Sequence, residues 1–140
     1  MFKKPAREVS RVFVHCSASD EPAHDDPKVI RDWHLARGFH AVGYHYIITK
    51  DGHRHRGRSL EKQPAAQKGH NTETIAICVT GLTRFSVRQI QSLLSLCIEI
   101  DDAYAGGVTF HGHREVNAHK TCPVFEYATI LRLDDDGRME

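Results

Sequence analysis

The segment His111-Gly112-His113-Arg114-Glu115-Val116-Asn117-Ala118-His119-Lys120-Thr121-Cys122-Pro123 concentrates imidazole, thiol and ammonium groups in a short stretch. Imidazole nitrogen and thiolate sulfur suit Zn²⁺ far better than Mg²⁺ or Ca²⁺, and a site with three protein ligands keeps a fourth position for water. The segment supplies two such ligands, a histidine and Cys122. A third has to come from elsewhere, and His15, in Val12-Phe13-Val14-His15-Cys16-Ser17, is the best upstream donor. Taken singly, each residue has an ordinary explanation. A histidine at a strand end is commonly a hydrogen-bonded structural residue, a free cysteine commonly packs as a small apolar side chain, and a lone lysine is solvated. With eleven histidines in the chain, only a defined combination counts, and here His15, a downstream histidine, Lys120 and Cys122 stand together. Spacing alone leaves both His111 and His113 open, since two residues apart in a strand share a face.

The elements that must position these groups read as strand, helix, hairpin, strand, helix, strand, helix. Arg11–Cys16 is β-branched and aromatic enough for a buried strand, with Phe13 and His15 on one face and Val12, Val14 and Cys16 on the other. Asp26-Pro27 is an N-cap followed by proline at the first helical position. That helix is expected to run to about Arg37, with Val29, Ile30, Trp33 and Ala36 inward and Gly38 as its stop. Tyr44–Thr49 reads as a strand, Asp51-Gly52 as a tight turn, and His53–Arg58 as a polar edge strand. Ser59–Thr72 forms a long connection. Glu73–Gly81 contains a continuous apolar run suited to the centre of a sheet. Ser86-Val87-Arg88-Gln89 has the form of a capping box, followed by Ile90, Leu93, Leu94, Cys97 and Ile98 at helical spacing. A short strand is expected at Val108–His111, a last helix opening at Pro123 with Phe125, Ala128, Ile130 and Leu131, and a fraying tail at Asp134-Asp135-Asp136. The economical architecture is α/β: one domain over residues 1–140, with a mixed central sheet flanked by helices.

Composition narrows the function classes. The chain has 140 residues with 19 basic and 18 acidic side chains, net +1, which argues against a surface built for nucleic acid and against a histidine-metal nuclease. Its four cysteines, Cys16, Cys78, Cys97 and Cys122, are scattered without a C-x-x-C, so neither a zinc ribbon nor a thioredoxin-type redox pair is indicated. Positive charges at Lys3, Lys4 and Arg7 are not followed by an apolar region, and no run reaches membrane-spanning length. The expectation is synthesis in a reducing cytoplasm, with no membrane insertion.

At this point the residues resemble a known family over nearly the whole chain: the zinc-dependent N-acetylmuramoyl-L-alanine amidases of type 2, which include short phage lysozymes and are similar to peptidoglycan recognition proteins. Phe13-Val14-His15-Cys16-Ser17-Ala18 resembles the family's first-ligand strand. Val42-Gly43-Tyr44-His45-Tyr46-Ile47-Ile48 resembles its Gly-Tyr-His strand, and Lys50-Asp51-Gly52 its hairpin turn. Gly69-His70-Asn71 through Thr80-Gly81 resembles the entry to its central strand. His113-Arg114-Glu115-Val116 and Lys120-Thr121-Cys122-Pro123 resemble its ligand-bearing end. The resemblance implies one Zn²⁺ held by His15, His113 and Cys122, with Tyr44 and Lys120 as catalytic groups beside it. It implies hydrolysis of the amide between N-acetylmuramic acid and L-alanine in peptidoglycan, by a phage or prophage endolysin expected to be a monomer and to act on the wall after release. Zinc lowers the pKa of a bound water to about 7 and polarises a carbonyl, which suits that reaction. Lys120 would stabilise the oxyanion, and Tyr44 would orient water or share in proton transfer.

Three features depart from the family pattern. Pro64-Ala65-Ala66-Gln67 stands where many members have Ala-His-Ala, so Ala66 replaces a groove histidine. Cys78 occupies the place of a central-strand glutamate used by some relatives. The stretch between His113 and Cys122 is one residue longer than in similar phage sequences, which a bulge could absorb. The competing function is a binding module of the same fold that holds the muropeptide without cutting it. Loss of the cysteine ligand marks such modules, and Cys122 is present. The basic run His53–Arg58 either touches anionic wall groups or is a solvated edge. No pair of carboxylates suited to glycosidic cleavage is evident.

Overall fold

The computed structural model describes residues 1–140. Five strands form one mixed sheet: β1 (Arg11–Cys16), β2 (Tyr46–Ile48), β3 (Arg54–Arg56), β4 (Thr74–Val79) and β5 (Thr109–Gly112), in the order β3-β2-β4-β1-β5. All neighbours are parallel except β3, which returns antiparallel along β2. The apolar run of β4 lies at the centre with all six residues buried, because a parallel sheet covered on both faces leaves its middle strand no solvent side.

The period of two divides the sheet between two layers. Val12, Val14, Tyr46, Ile48, Ile75, Ile77 and Val79 belong to a core shared with Leu93, Leu96, Cys97 and Ile100 of helix α2 (Val87–Ala103). On the opposite face, Ile47 and Cys78 pack with Ile30 of helix α1 (Pro27–Ala36) and with Val42 and Tyr44. Register places His15 beside Cys78, and Cys78 beside Ile47. His15 therefore belongs to the α1 face, as alternation along β1 requires.

Both long helices start as their sequences predict. Asp26 accepts from Lys28 N–H at 2.8 Å ahead of Pro27. At α2 the Ser86 hydroxyl accepts from Gln89 N–H, and the Gln89 side chain accepts from Ser86 N–H. Gln89 is fully buried and also donates to Ile48 O and Thr80 O, which pins the start of α2 to the ends of β2 and β4. In the β2–β3 turn Gly52 has φ +83°, and a Cβ there would lie 2.9 Å from Arg88 O. Glycine meets both demands.

The inward faces differ from the expected ones. On α1, Ile30 and His34 are buried, while Trp33 is 36% exposed and Ala36 is exposed. His34 holds the inner position because its Nδ1 accepts from Gly43 N–H at 2.7 Å. On α2, Leu96 and Ile100 join Leu93 and Cys97 inside, and Ile98 is 45% exposed. This helix carries apolar residues on more than one side, and the sheet selects the line continuing from Gln89.

The C-terminal region brings two corrections. The last helix, α3, spans only Tyr127–Ile130 and does not open at Pro123. Arg114 takes the carbonyls that an earlier start would need, donating from its backbone to Cys122 O and from its guanidinium to Pro123 O and Phe125 O. The tail does not fray: Leu133 bridges Met139 around a turn, and Gly137 O accepts from Phe110 N–H at 2.7 Å. The acidic turn thus covers the outer edge of β5, whose backbone donors need partners.

Candidate metal centre

β1 and β5 are adjacent and parallel, so their C-terminal ends meet at one edge of the sheet, where α/β folds gather their functional groups. His15, 1% exposed, is the penultimate residue of β1. β5 ends at Gly112, and His113 opens a 3-10 turn over His113–Glu115 that swings its ring back over β1. Glu115 sets that turn: its carboxylate accepts from Gly112 N–H at 2.8 Å and from the Tyr127 hydroxyl, and its other oxygen pairs with His111 Nδ1 at 2.9 Å. The two ligand-type nitrogens, His15 Nδ1 and His113 Nδ1, lie 3.1 Å apart. Cys122 arrives on the returning loop, where Cys16 N–H donates to its Sγ at 2.7 Å. One donor atom from each of His15, His113 and Cys122 falls within 4.8 Å of the others.

The separations, 3.1 Å between the imidazole nitrogens and up to 4.8 Å across the set, bracket those of a tetrahedral ion, which small side-chain rotations would bring to one distance. Bond lengths of about 2.0–2.3 Å place the donors of a zinc site roughly 3.3–3.7 Å apart. Electrostatics favour the ligating forms of the imidazoles. Burial first, then the neighbouring His113, lowers the pKa of His15 to about 3, and burial followed by the Lys120 ammonium lowers that of His113. Both rings stay neutral at neutral pH. Hydrogen bonding with the Cys16 thiol and then burial raise the pKa of Cys122. That does not bar it as a ligand, since a coordinating thiol is deprotonated by the metal it binds.

His113 and Cys122 line a cleft of about 620 Å³, together with Trp33, Arg37, Tyr44, Lys68 and Lys120, and His15 lies buried behind them. The Tyr44 ring sits 5.2 Å from that of His15 and packs equally near His34. Burial, with the nearby thiols adding to it, raises its phenol well above the ordinary 10, so the hydroxyl keeps its proton and can donate. Lys120 is exposed at the rim, held by a turn in which its N–H donates to Asn117 O at 3.0 Å. That turn, and no β-bulge, accommodates the long stretch between His113 and Cys122.

The other expectations separate cleanly. His111 lies outside the donor cluster: its two ring nitrogens are engaged by Glu115 and by Thr109 Oγ1 at 2.6 Å, and its ring packs on Phe13. Much of the basic hairpin is committed to structure: Arg54 pairs with Glu99 on α2, His55 bonds the Thr49 hydroxyl, and Arg58 donates to Val42 O and Gln63 O. Gln67 is a site residue that the sequence does not announce. It is fully buried, and its Oε1 stands 2.8 Å from His15 Nε2. Glutamine in a loop is ordinarily exposed, so no local pattern marks it. Glu115 was visible in the His-Arg-Glu run, but only the fold shows that it shapes the turn.

Comparison with known proteins shows the family. Residues 5–125 match the family model described as N-acetylmuramoyl-L-alanine amidase, Amidase_2. The chain is 35% identical to the endolysin of Klebsiella phage KP32 over 86% of its own length and 83% of the relative's. Its fold is similar to that of the N-acetylmuramoyl-L-alanine amidase LysC from Clostridium intestinale URNW, with a TM-score of 0.79, 24% identity, and coverage of 89% of this chain and 84% of that one. It is also similar to Drosophila peptidoglycan recognition protein SD, with a TM-score of 0.75, 19% identity, and coverage of 96% and 92%. From the extent of the match and the identity to phage relatives, the chain belongs to the N-acetylmuramoyl-L-alanine amidase family.

Proposed function

We propose that this endolysin-type amidase hydrolyses the bond between N-acetylmuramic acid and L-alanine with one Zn²⁺ held by His15, His113 and Cys122, and with Tyr44 and Lys120 as its catalytic side chains. The observation that carries the proposal is the convergence of two imidazole nitrogens and one thiol within 4.8 Å beside the cleft. When bound, zinc supplies a nucleophile near neutral pH and a Lewis acid for the scissile carbonyl. The remaining work falls to the chain. His15 and His113, kept neutral, hold their donor atoms toward a single point. Tyr44 keeps its proton and donates a hydrogen bond that orients the water or the substrate oxygen. Lys120, exposed and free to swing inward, brings positive charge to the carbonyl oxygen as it becomes an oxyanion. The proposal extends to a monomer made in the cytoplasm and acting on the wall after release, in keeping with its endolysin relatives.

A non-catalytic peptidoglycan binder would have no use for the thiol at this position, and Cys122 is the residue that favours hydrolysis. Digestion of purified walls followed by mass spectrometry tests the reading. New L-alanine amino termini with intact glycan strands are expected, and chelator should stop their release. New reducing sugar ends without free L-alanine would identify a glycosidase and end the proposal.

A further inference from the structure

We propose that Gln67 is a positioning residue for the metal centre: its buried amide fixes the tautomer of His15 that leaves Nδ1 bare toward His113 and Cys122. The inference rests on the metal reading above and adds a residue to it.

The directions of its hydrogen bonds fix how the Gln67 amide is turned. Gln67 Nε2 donates to Thr74 Oγ1 at 2.8 Å and to His70 O at 3.2 Å. His70 O is a backbone carbonyl and can only accept. The single proton of the Thr74 hydroxyl is committed to Asn71 O at 2.8 Å, so toward the amide this oxygen also accepts. Both amide hydrogens therefore have destinations. Turning the amide over would set its oxygen against two acceptors and leave an N–H₂ facing the imidazole. The network thus assigns the Gln67 oxygen to the side of His15, where it lies 2.8 Å from Nε2.

An amide oxygen has no proton to give, so His15 Nε2 must carry the hydrogen. A neutral imidazole has only one N–H. Nδ1 is then a lone pair, and it is the atom 3.1 Å from His113 Nδ1. The amide oxygen and the donor cluster thus engage opposite nitrogens of one ring. Ligating histidines are generally oriented by a partner on the far ring nitrogen, and losing that partner typically weakens metal binding.

The amide is itself held firmly. Asn71 Oδ1 accepts from Gln67 N–H at 3.0 Å and from Ala66 N–H at 3.1 Å, which clamps the backbone that carries the side chain. Thr74, the far anchor, is the fully buried first residue of β4. The irregular connection from Ser59 to Thr72 thus delivers one directed acceptor to the underside of the site. With Gln67 at 0% exposure, bulk solvent does not compete for this bond in the native protein.

Two measurements on the full chain test this. In metal-free wild-type protein, proton–nitrogen correlation spectra of the histidine rings should show the Nε2–H tautomer for His15, assigned by its disappearance in His15→Ala. A bare Nε2 with the proton on Nδ1 would overturn the inference. Gln67→Met keeps the volume and removes the acceptor; zinc affinity, measured by competition with a chromophoric chelator, should fall about 10–100-fold while the circular dichroism spectrum is retained. Unchanged affinity in folded Gln67→Met means that the amide only packs. Should that variant not fold, the wild-type tautomer decides alone. Should wild-type protein take up no zinc, the metal reading fails, and the tautomer still judges the role of Gln67.

Discussion

The two faces of the sheet are built from the same strands and obey different rules. Toward α2, Val12, Val14, Ile75, Ile77 and Val79 meet Leu93, Leu96 and Ile100, side chains with no hydrogen bond to satisfy, and buried Gln89 at the helix start is the polar exception. Toward α1 and the cleft, His15, His34, Tyr44, Cys78 and Gln67 occupy corresponding depth, and most of their polar atoms have one designated partner. Apolar packing is non-directional and is satisfied by the right volume in the right place. Buried polar groups are satisfied only by specific geometry, and an unmade bond costs more than a made one contributes. The first face can be altered in steps. The second should fail at single atoms.

The sharpest test of that contrast lies at the donor cluster. Cys122→Ala, His15→Ala and His113→Ala should each weaken or abolish zinc binding, by elemental analysis, and bring wall lysis to background. His111→Ala, two residues before His113 and outside the cluster, should keep both. Full zinc with unaltered affinity after any of the first three changes would remove that residue from the site.

Next in size are changes at the rim that leave the metal in place. Lys120→Ala should lower turnover about 10²–10³-fold, the usual loss for one oxyanion donor, with zinc content unchanged. Tyr44→Phe should follow in the same direction. Activity of Lys120→Ala within a few-fold of the parent would make it a surface lysine.

On the apolar face, Leu96→Ala should cost about 2–5 kcal/mol in denaturant unfolding, the usual range for emptying a fully buried leucine site. The same variant, assayed well below its transition, should keep zinc affinity and turnover. Loss of zinc binding from this variant would break the separation of the two faces.

Acidity should report on the buried imidazoles, which include His45 outside the α1 cluster, its pKa lowered by burial to about 4. Burial lowers the pKa of His15 to about 3 and that of His34 to about 4, both from 6.5. Between those limits the unfolded chain binds more protons than the folded one, so stability rises with pH. The contribution is complete above about 6.5 and is lost as pH falls toward 3–4. Thermal melts of metal-free protein should show this decline, and His34→Phe should flatten part of it. A midpoint independent of pH over this range would mean that these rings are not held neutral.

The smallest effect is expected at the basic hairpin. The Arg54–Glu99 pair is partly exposed, so Arg54→Ala should change stability by less than about 1 kcal/mol and leave lysis of walls unaltered. A strong loss of wall binding would show that this edge touches the substrate after all.

Much of this molecule is determined locally. The capping box at Ser86 and Gln89, Asp26 before Pro27, Gly52 in its turn and the buried run of β4 each express a backbone preference or a periodicity contained in a few consecutive residues. The donor types of His15, His113 and Cys122 are likewise legible, because the family's motifs keep them in recognisable surroundings. What tertiary structure decided involves competition between distant groups. Arg114 claims the carbonyls after Cys122 and delays α3; the Asp134–Gly137 turn finds the open edge of β5; His34 displaces Trp33 because Gly43 N–H needs an acceptor. Gln67 is the extreme case. Its neighbours in sequence describe an ordinary loop, and its meaning arises only when β1 brings an imidazole nitrogen within hydrogen-bond reach of a buried amide.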